Sequence, residues 1–183
     1  AAFFYESGFD VKFPGGADHA ALKRGIQLAP IPFCAPMQMF HGVAEKLFAA
    51  GADRVFVPLL RSLPPIEGQP VSGVCPIVQA GPDLLRTTFA NSEAPAGSGP
   101  AAGRLLAPMI DFGRGGMESV EFKRSCGRLA AELGLSETVW QRAFSLASSV
   151  STLSTRLASI SAGALSSSAA SETWPRWWCS AAL

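Results

Sequence analysis

Apolar and polar positions along the first 147 residues switch between two periods. Phe9-Asp10-Val11-Lys12-Phe13 alternates with period two, which predicts a short strand closed by the turn Pro14-Gly15-Gly16. Asp18 can cap a helix that carries Ala21 and Leu22 inward and stops at Gly25. Pro30, Pro32 and Pro36 around Cys34 impose irregular backbone. From Pro36 a helix runs to Ala50. Its apolar positions Met39, Phe40, Val43, Leu47 and Phe48 fall at helical spacing, and Gly51 closes it.

Val55-Phe56-Val57 is an apolar strand ended by Pro58. Residues 61–73 read as a Pro/Gly-rich loop, and Ile77-Val78 as a second short apolar run. Pro82 to Thr88 reads as helix, 91–103 as a flexible linker, and Leu105-Leu106 with Met109-Ile110 as a further strand. Met117 to Leu133 is helical up to Gly134, and Ser136 caps another helix through Ala147. Strands alternating with helices predict an α/β fold with a parallel sheet. The expected organisation is an α/β unit over 1–90, the linker over 91–103, strand plus helices over 104–147, and a tail over 148–183.

Composition changes at that tail. The chain has 183 residues, 48% apolar and only 16% charged, against a usual charged share of about a quarter. Residues 148–183 hold three charged side chains (Arg156, Glu172, Arg176) and eleven serines, so the charge of the chain lies almost wholly before them. Net charge is +1, which argues against a polyanion-binding surface and so against nucleic acid. No run approaches the ~20 apolar residues of a membrane span, so no membrane partner is expected. No basic-then-apolar leader is visible, and the expected compartment is the cytoplasm.

Candidate chemistry gathers on cysteine. Cys34 lies in Pro32-Phe33-Cys34-Ala35-Pro36, at the entrance to a helix, and Cys75 lies in Val74-Cys75-Pro76. A thiol at a helix N-terminus meets free N–H groups that favour the thiolate, and thiolates are the usual ligands of iron–sulfur clusters. Free cysteines are also commonly buried structural residues, and composition alone favours that reading. The absence of any C-x-x-C excludes a zinc knuckle or a ferredoxin-type run. His41, seven residues after Cys34, can orient Cys34 or a ligand there, or simply face solvent. Cys126 reads as a bystander, and His19 has no partner. Asp111-Phe112-Gly113-Arg114-Gly115-Gly116 lacks the Lys-Ser/Thr of a P-loop and reads as a turn before a helix.

Five segments taken in order resemble a known family. Ser7-Gly8-Phe9-Asp10-Val11 resembles an "LGF-x-V" opening. The run from Phe33 through Cys34, Gln38 and His41 to Gly42 resembles a "C-[FY]-P-x-K-x-x-H-G" box. Gly51 to Pro58 resembles "G-V-D-x-I-F-x-P", Val74 to Gln79 "x-C-P-x-V-Q", and Leu105 to Phe112 "L-x-P-x-[IL]-D-F". Together they are similar to the activase-related region of 2-hydroxyacyl-CoA dehydratase systems, over residues 3 to about 146.

That resemblance implies a Rossmann-like, dehydratase-component subdomain followed by C-terminal helices. It implies a fragment of a longer protein, inactive alone, with actin-like ATPase domains as partners and acyl-CoA as a possible one. The family supports ATP-driven radical dehydration of 2-hydroxyacyl-CoA in anaerobic metabolism. Cys34 and Cys75 then become candidate ligands of a 4Fe–4S cluster, with His41 and Gln38 behind them and a third ligand supplied from elsewhere. Gln38 stands where the family box has Lys, and Ala35 where it has an aromatic. A non-redox scaffold, and a thiol enzyme using Cys34 with His41, are the alternatives.

The family continues into a strand resembling "x-V-V-V-L-G-R-P", whereas this chain ends with Trp174, Trp177, Trp178 and Cys179. Trp177-Trp178-Cys179 is encoded TGG-TGG-TGY, and reading two bases later gives (Leu/Met/Val)-Val-Val-(Leu/Phe). The tail is therefore expected to follow a change of reading frame within residues 145–170, the alternative being a natural Ser/Ala-rich tail with a tryptophan cluster, and under either reading Cys179 is not counted as a ligand.

Overall fold

The computed structural model describes residues 2–64, 72–90, 101–149 and 181–182. Residues 91–100 of the linker expected over 91–103, most of the 61–73 loop and nearly all of the tail lie outside the described residues, and 101–103 belong to a 3-10 turn rather than to a flexible linker.

Helix α1 covers Ala2–Glu6, α2 His19–Leu28 and α3 Ala35–Ala49. Strands β1 (Val55–Phe56) and β2 (Leu59–Ser62) follow, then helices α4 (Pro76–Gln79) and α5 (Gly81–Phe89). After a 3-10 turn at Ala101–Arg104 come β3 (Leu105–Leu106), β4 (Met109–Asp111) and α6 (Val120–Glu132). Helix α7 covers 137–149, and β5 is Ala181–Ala182.

Pairing of β1 with β3 and of β2 with β4 is parallel, with a constant offset: Val55 faces Leu105, Phe56 faces Leu106, Leu59 faces Met109 and Leu60 faces Ile110. The two pairs are one ladder with a gap. Val57 N–H donates to Leu106 O (2.9 Å) and Leu59 N–H to Pro108 O (3.0 Å). The reciprocal bond to Val57 O is lost because Pro108 has no N–H. On the far side of β1, β5 pairs antiparallel.

Helices cover both faces, as a parallel ladder requires. Val55, Val57 and Leu105 pack with Ala44, Leu47 and Phe48 of α3 and with Leu85 and Phe89 of α5. Phe56 and Leu106 face the other way, toward Phe4, Phe9, Val11 and Leu129. Burying side chains such as Leu85 and Val55, both 0% exposed, stabilises by roughly 1.5–3 kcal/mol each. Parallel strands with helices on both sides make the fold α/β.

Helix α2 begins where expected: Asp18 accepts from Ala21 N–H at 2.7 Å. It does not stop at Gly25. That glycine sits inside the helix because a Cβ there would lie 1.6 Å from Gln38 O, and one on Gly42 would lie 1.9 Å from Ala21 O. The two glycines let α2 and α3 touch backbone to backbone. Helix α3 ends as expected, with Gly51 at φ +72°.

Four expectations are corrected. Phe9–Phe13 forms no run of strand and carries a single β-bridge position, at Lys12, while Phe9 and Val11 pack on the Phe4 cluster. Leu59–Ser62, which begins before the loop expected over 61–73 and overlaps it, is a strand. Ile77-Val78 is helical, because Pro76 starts a turn. The helix expected from Met117 divides into a 3-10 turn at Gly116–Glu118 and α6, where Ser119 accepts from Phe122 N–H at 3.0 Å.

Candidate functional site

Cys34 and Cys75 each occupy the position just before a helix. Pro76 steers Cys75 to extended backbone, φ −52° and ψ 131°. Cys34 is extended as well, φ −58° and ψ 153°, with Pro36 in the first turn of α3. Cys34 O accepts from Met37 N–H (2.9 Å) and Gln38 N–H (3.1 Å), and Cys75 O accepts from Gln79 N–H (3.0 Å). Gln79 Nε2 donates to Val74 O at 2.9 Å and latches that turn. Both thiols are exposed and unbonded, so the buried-structural reading is overturned for both. It holds for Cys126, where burial pushes the thiol up to about 12.

The two cysteine segments are linked through α5, which packs against both α3 and α4. Gly73 bridges Ser62, which places Cys75 just past the carboxyl end of β2. Gly81, which opens α5 directly after α4, lies against Phe40 and Met37 of α3; a Cβ there would stand 3.3 Å from the Phe40 ring. His41 does not face solvent. It is 0% exposed, its Nδ1 donates to Met37 O at 2.8 Å, and its ring stacks on Phe33 at 5.7 Å. Its Nε2 has no partner among the described residues. Gln38 is engaged through its backbone carbonyl, against Gly25.

At the carboxyl end of β2 lies a tighter constellation that sequence reasoning missed. Ser62 Oγ donates to Asp111 Oδ1 at 2.6 Å and accepts from Phe112 N–H (3.0 Å) and Gly113 N–H (3.1 Å). Gly113 N–H also reaches Asp111 Oδ1 at 3.0 Å. Ser125 Oγ donates to Glu121 O (2.9 Å) and accepts from Asp111 N–H (3.1 Å). The Ser62 hydroxyl, then the Gly113 N–H, hold the Asp111 carboxyl below the usual carboxylate range. Arg61 Nε is 3.6 Å from the other oxygen. This knot fixes the turn that Asp111–Gly116 was expected to form. The Asp-Phe-Gly run signals it, but Ser62 sits 49 residues away and carries no local signal.

Arg104 is the second residue missed. It is 5% exposed, and its guanidinium donates to Ala52 O (2.8 Å) and Phe48 O (3.0 Å) at the carboxyl end of α3 while lying 5.6 Å over the Phe48 ring. A cation there meets the negative end of the helix dipole. A separate groove of about 480 Å³ between α6 and α7 is lined by Lys123, Trp140 and Phe144 among others, and neither cysteine reaches it.

The family described as the CoA enzyme activase uncharacterised domain matches residues 1–171. The chain belongs to that family. No curated protein and no solved structure matches it. Membership confirms the activase-related resemblance drawn over residues 3 to about 146, the match running over 1–171. Among the described residues of this activase domain, no helix is long and apolar enough to cross a membrane.

A 4Fe–4S cluster, which the resemblance implies, takes four thiolates. Cys34 and Cys75 offer two exposed ones. Among the described residues no three or more His, Cys, Asp or Glu side chains gather as a metal site. A complete cluster site is therefore not built by the described residues.

Proposed function

We propose that this domain is a working part of a cytoplasmic CoA enzyme activase system and presents Cys34 and Cys75 as two donors to a 4Fe–4S cluster completed by another domain or chain. The observation that carries this reading is the pair of exposed thiols free of disulfides, each set just before a helix, with α5 packed against both of those helices. His41 and Gln38 support the Cys34 segment by packing it. The Rossmann-like reading of the fold belongs to the same proposal, as does service to ATP-driven radical dehydration of 2-hydroxyacyl-CoA. Such a cluster, when bound, supplies one-electron transfer.

Anaerobic reconstitution with iron and sulfide, on the chain together with the ATPase domains of its system, tests this. Thiolate-to-iron absorbance should appear, and should fall in Cys34→Ser and in Cys75→Ser. Absorbance that survives both substitutions would overturn the assignment.

A second reading is a non-redox scaffold that binds acyl-CoA or docks the ATPase domains. The absence of a three-ligand group among the described residues favours it. It predicts binding that persists with both cysteines replaced. A thiol enzyme using Cys34 with His41 has the least support, since His41 is buried beneath Phe33 while Cys34 is exposed.

A further inference from the structure

The β2–β4 ladder keeps one register as far as Leu60 and Ile110 and then slips by a residue, so that Ser62 pairs with Asp111 and Arg61 is left over as a bulge. Bulges of this kind re-aim a side chain, and they recur beside functional sites. Here the slip sets the Ser62 hydroxyl 2.6 Å from the Asp111 carboxylate. The hydroxyl has one hydrogen and two lone pairs. The hydrogen goes to Asp111, and the lone pairs take the Phe112 and Gly113 N–H groups. A side chain bonded at all three positions, one of them to a charged group, is confined to a single rotamer, and the end of β2 is fixed with it.

The backbone of the same serine carries the Cys75 segment. Gly73 pairs antiparallel with Ser62, and Leu63 N–H donates to Ser72 O at 3.0 Å. Cys75 follows Gly73 by two residues, with the Gln79 latch on Val74 O between them and α4. Helix α4 buries no residue and packs on β2 and α5. The place of the thiol therefore depends on where β2 ends and how firmly that end is held. Cys34 has a different support, the first turn of α3.

We propose that Ser62 and Asp111 are positioning residues for Cys75: their side chains lock the bulged end of β2, and the Ser62–Gly73 bridge passes that fixed backbone on to the cysteine. This rests on the reading of Cys75 as a cluster donor. It assigns the Ser62–Asp111 pair to one thiol of the two and leaves Cys34 independent of it.

Two measurements test the proposal. The first is amide hydrogen exchange on the full chain without iron. Ser62→Ala should speed exchange at Leu63 N–H by about tenfold and leave Gln38 N–H, in the first turn of α3, as slow as in wild type. The second is anaerobic reconstitution with iron and sulfide on the chain together with the ATPase domains of its system. Thiolate-to-iron absorbance in Ser62→Ala should fall to about the level of Cys75→Ser. Ser62→Thr keeps a hydroxyl on a side chain suited to a strand and should restore both readouts. Asp111→Asn keeps an oxygen for Ser62 but drops the charge, so its fall should be intermediate. Arg104→Met loosens the opposite end of α3 and should leave the absorbance at the wild-type level. Leu63 exchange or absorbance unchanged in Ser62→Ala would overturn the inference and leave the donor reading standing. A fall shared equally by Arg104→Met would mark general destabilisation and overturn it too. Wild type that acquires no absorbance would overturn the donor reading and this inference together.

Discussion

Helices α3 and α4 open on nearly the same phrase, Cys34-Ala35-Pro36 and Cys75-Pro76, yet they are held very differently. Helix α3 has fifteen residues, six of them buried, and meets α2 through two glycine contacts. Helix α4 is a single turn with no buried residue, kept in place by Gln79 and by the strand before it. A shared local motif therefore sets the exposure of the thiol, while tertiary packing decides how firmly it is held. Cys34 stands on a rigid post and Cys75 on a short arm.

Substitution should expose that asymmetry. Gly42→Ala drives a methyl into Ala21 O and should cost about 3 kcal/mol or more in denaturant unfolding, because neither backbone can yield cheaply. A fully stable Gly42→Ala variant would mean that α3 is not anchored as described. Arg104→Met strips two carbonyls at the end of α3 of their donor and should cost about 2 kcal/mol.

Near α4 the effects shrink. Asp111→Asn should cost about 1 kcal/mol at neutral pH. Because the folded carboxyl is held below its ordinary range, its contribution is present above the unfolded value of about 4 and is lost as pH falls through the folded one. The gap between wild type and Asp111→Asn should thus close in acid, and a gap that widens would contradict the Ser62 bond. Ile77→Ser, at a position 41% exposed, should stay within about 0.5 kcal/mol of wild type by the same unfolding measurement.

Much of this was legible in sequence where one residue had one job. Asp18, Gly51 and Gly134 mark helix ends by local chemistry, and all three do so here, while Ser136 stands just before α7 with its hydroxyl on Thr138 Oγ1 rather than on a backbone N–H. Legibility failed where a residue answered to something distant. Gly25 looked like a stop because its true constraint, Gln38 O, lies on another helix. Pro58 looked like the end of a strand, but in this register its missing N–H points away from β3 and β4, so the strand resumes at Leu59. The Val-Phe-Val-Pro-Leu-Leu run at 55–60 and the Leu-Leu-Ala-Pro-Met-Ile run at 105–110 show this as a repeated apolar pattern about a proline. Phe9 and Val11 kept their period-two facing with only a single bridge at Lys12, since pattern specifies a buried side and not a partner. The thiols were found because cysteine beside proline is a visible motif. Ser62 and Arg104 were not, because their partners sit 49 to 56 residues away.

The ladder also bears on how the chain reaches this state. Every contact between its two strands joins residues about fifty positions apart, so none can form before α4, α5 and the segment after them have been drawn together. Such non-local pairing is slow to nucleate and forms after local helices such as α3. Its equilibrium cost is far less sensitive to the intervening length, since each doubling of a flexible loop adds only about 0.6 kcal/mol. The stretch between β2 and β3 is thus free to vary in length across evolution, while the two proline-broken strands must stay matched to each other.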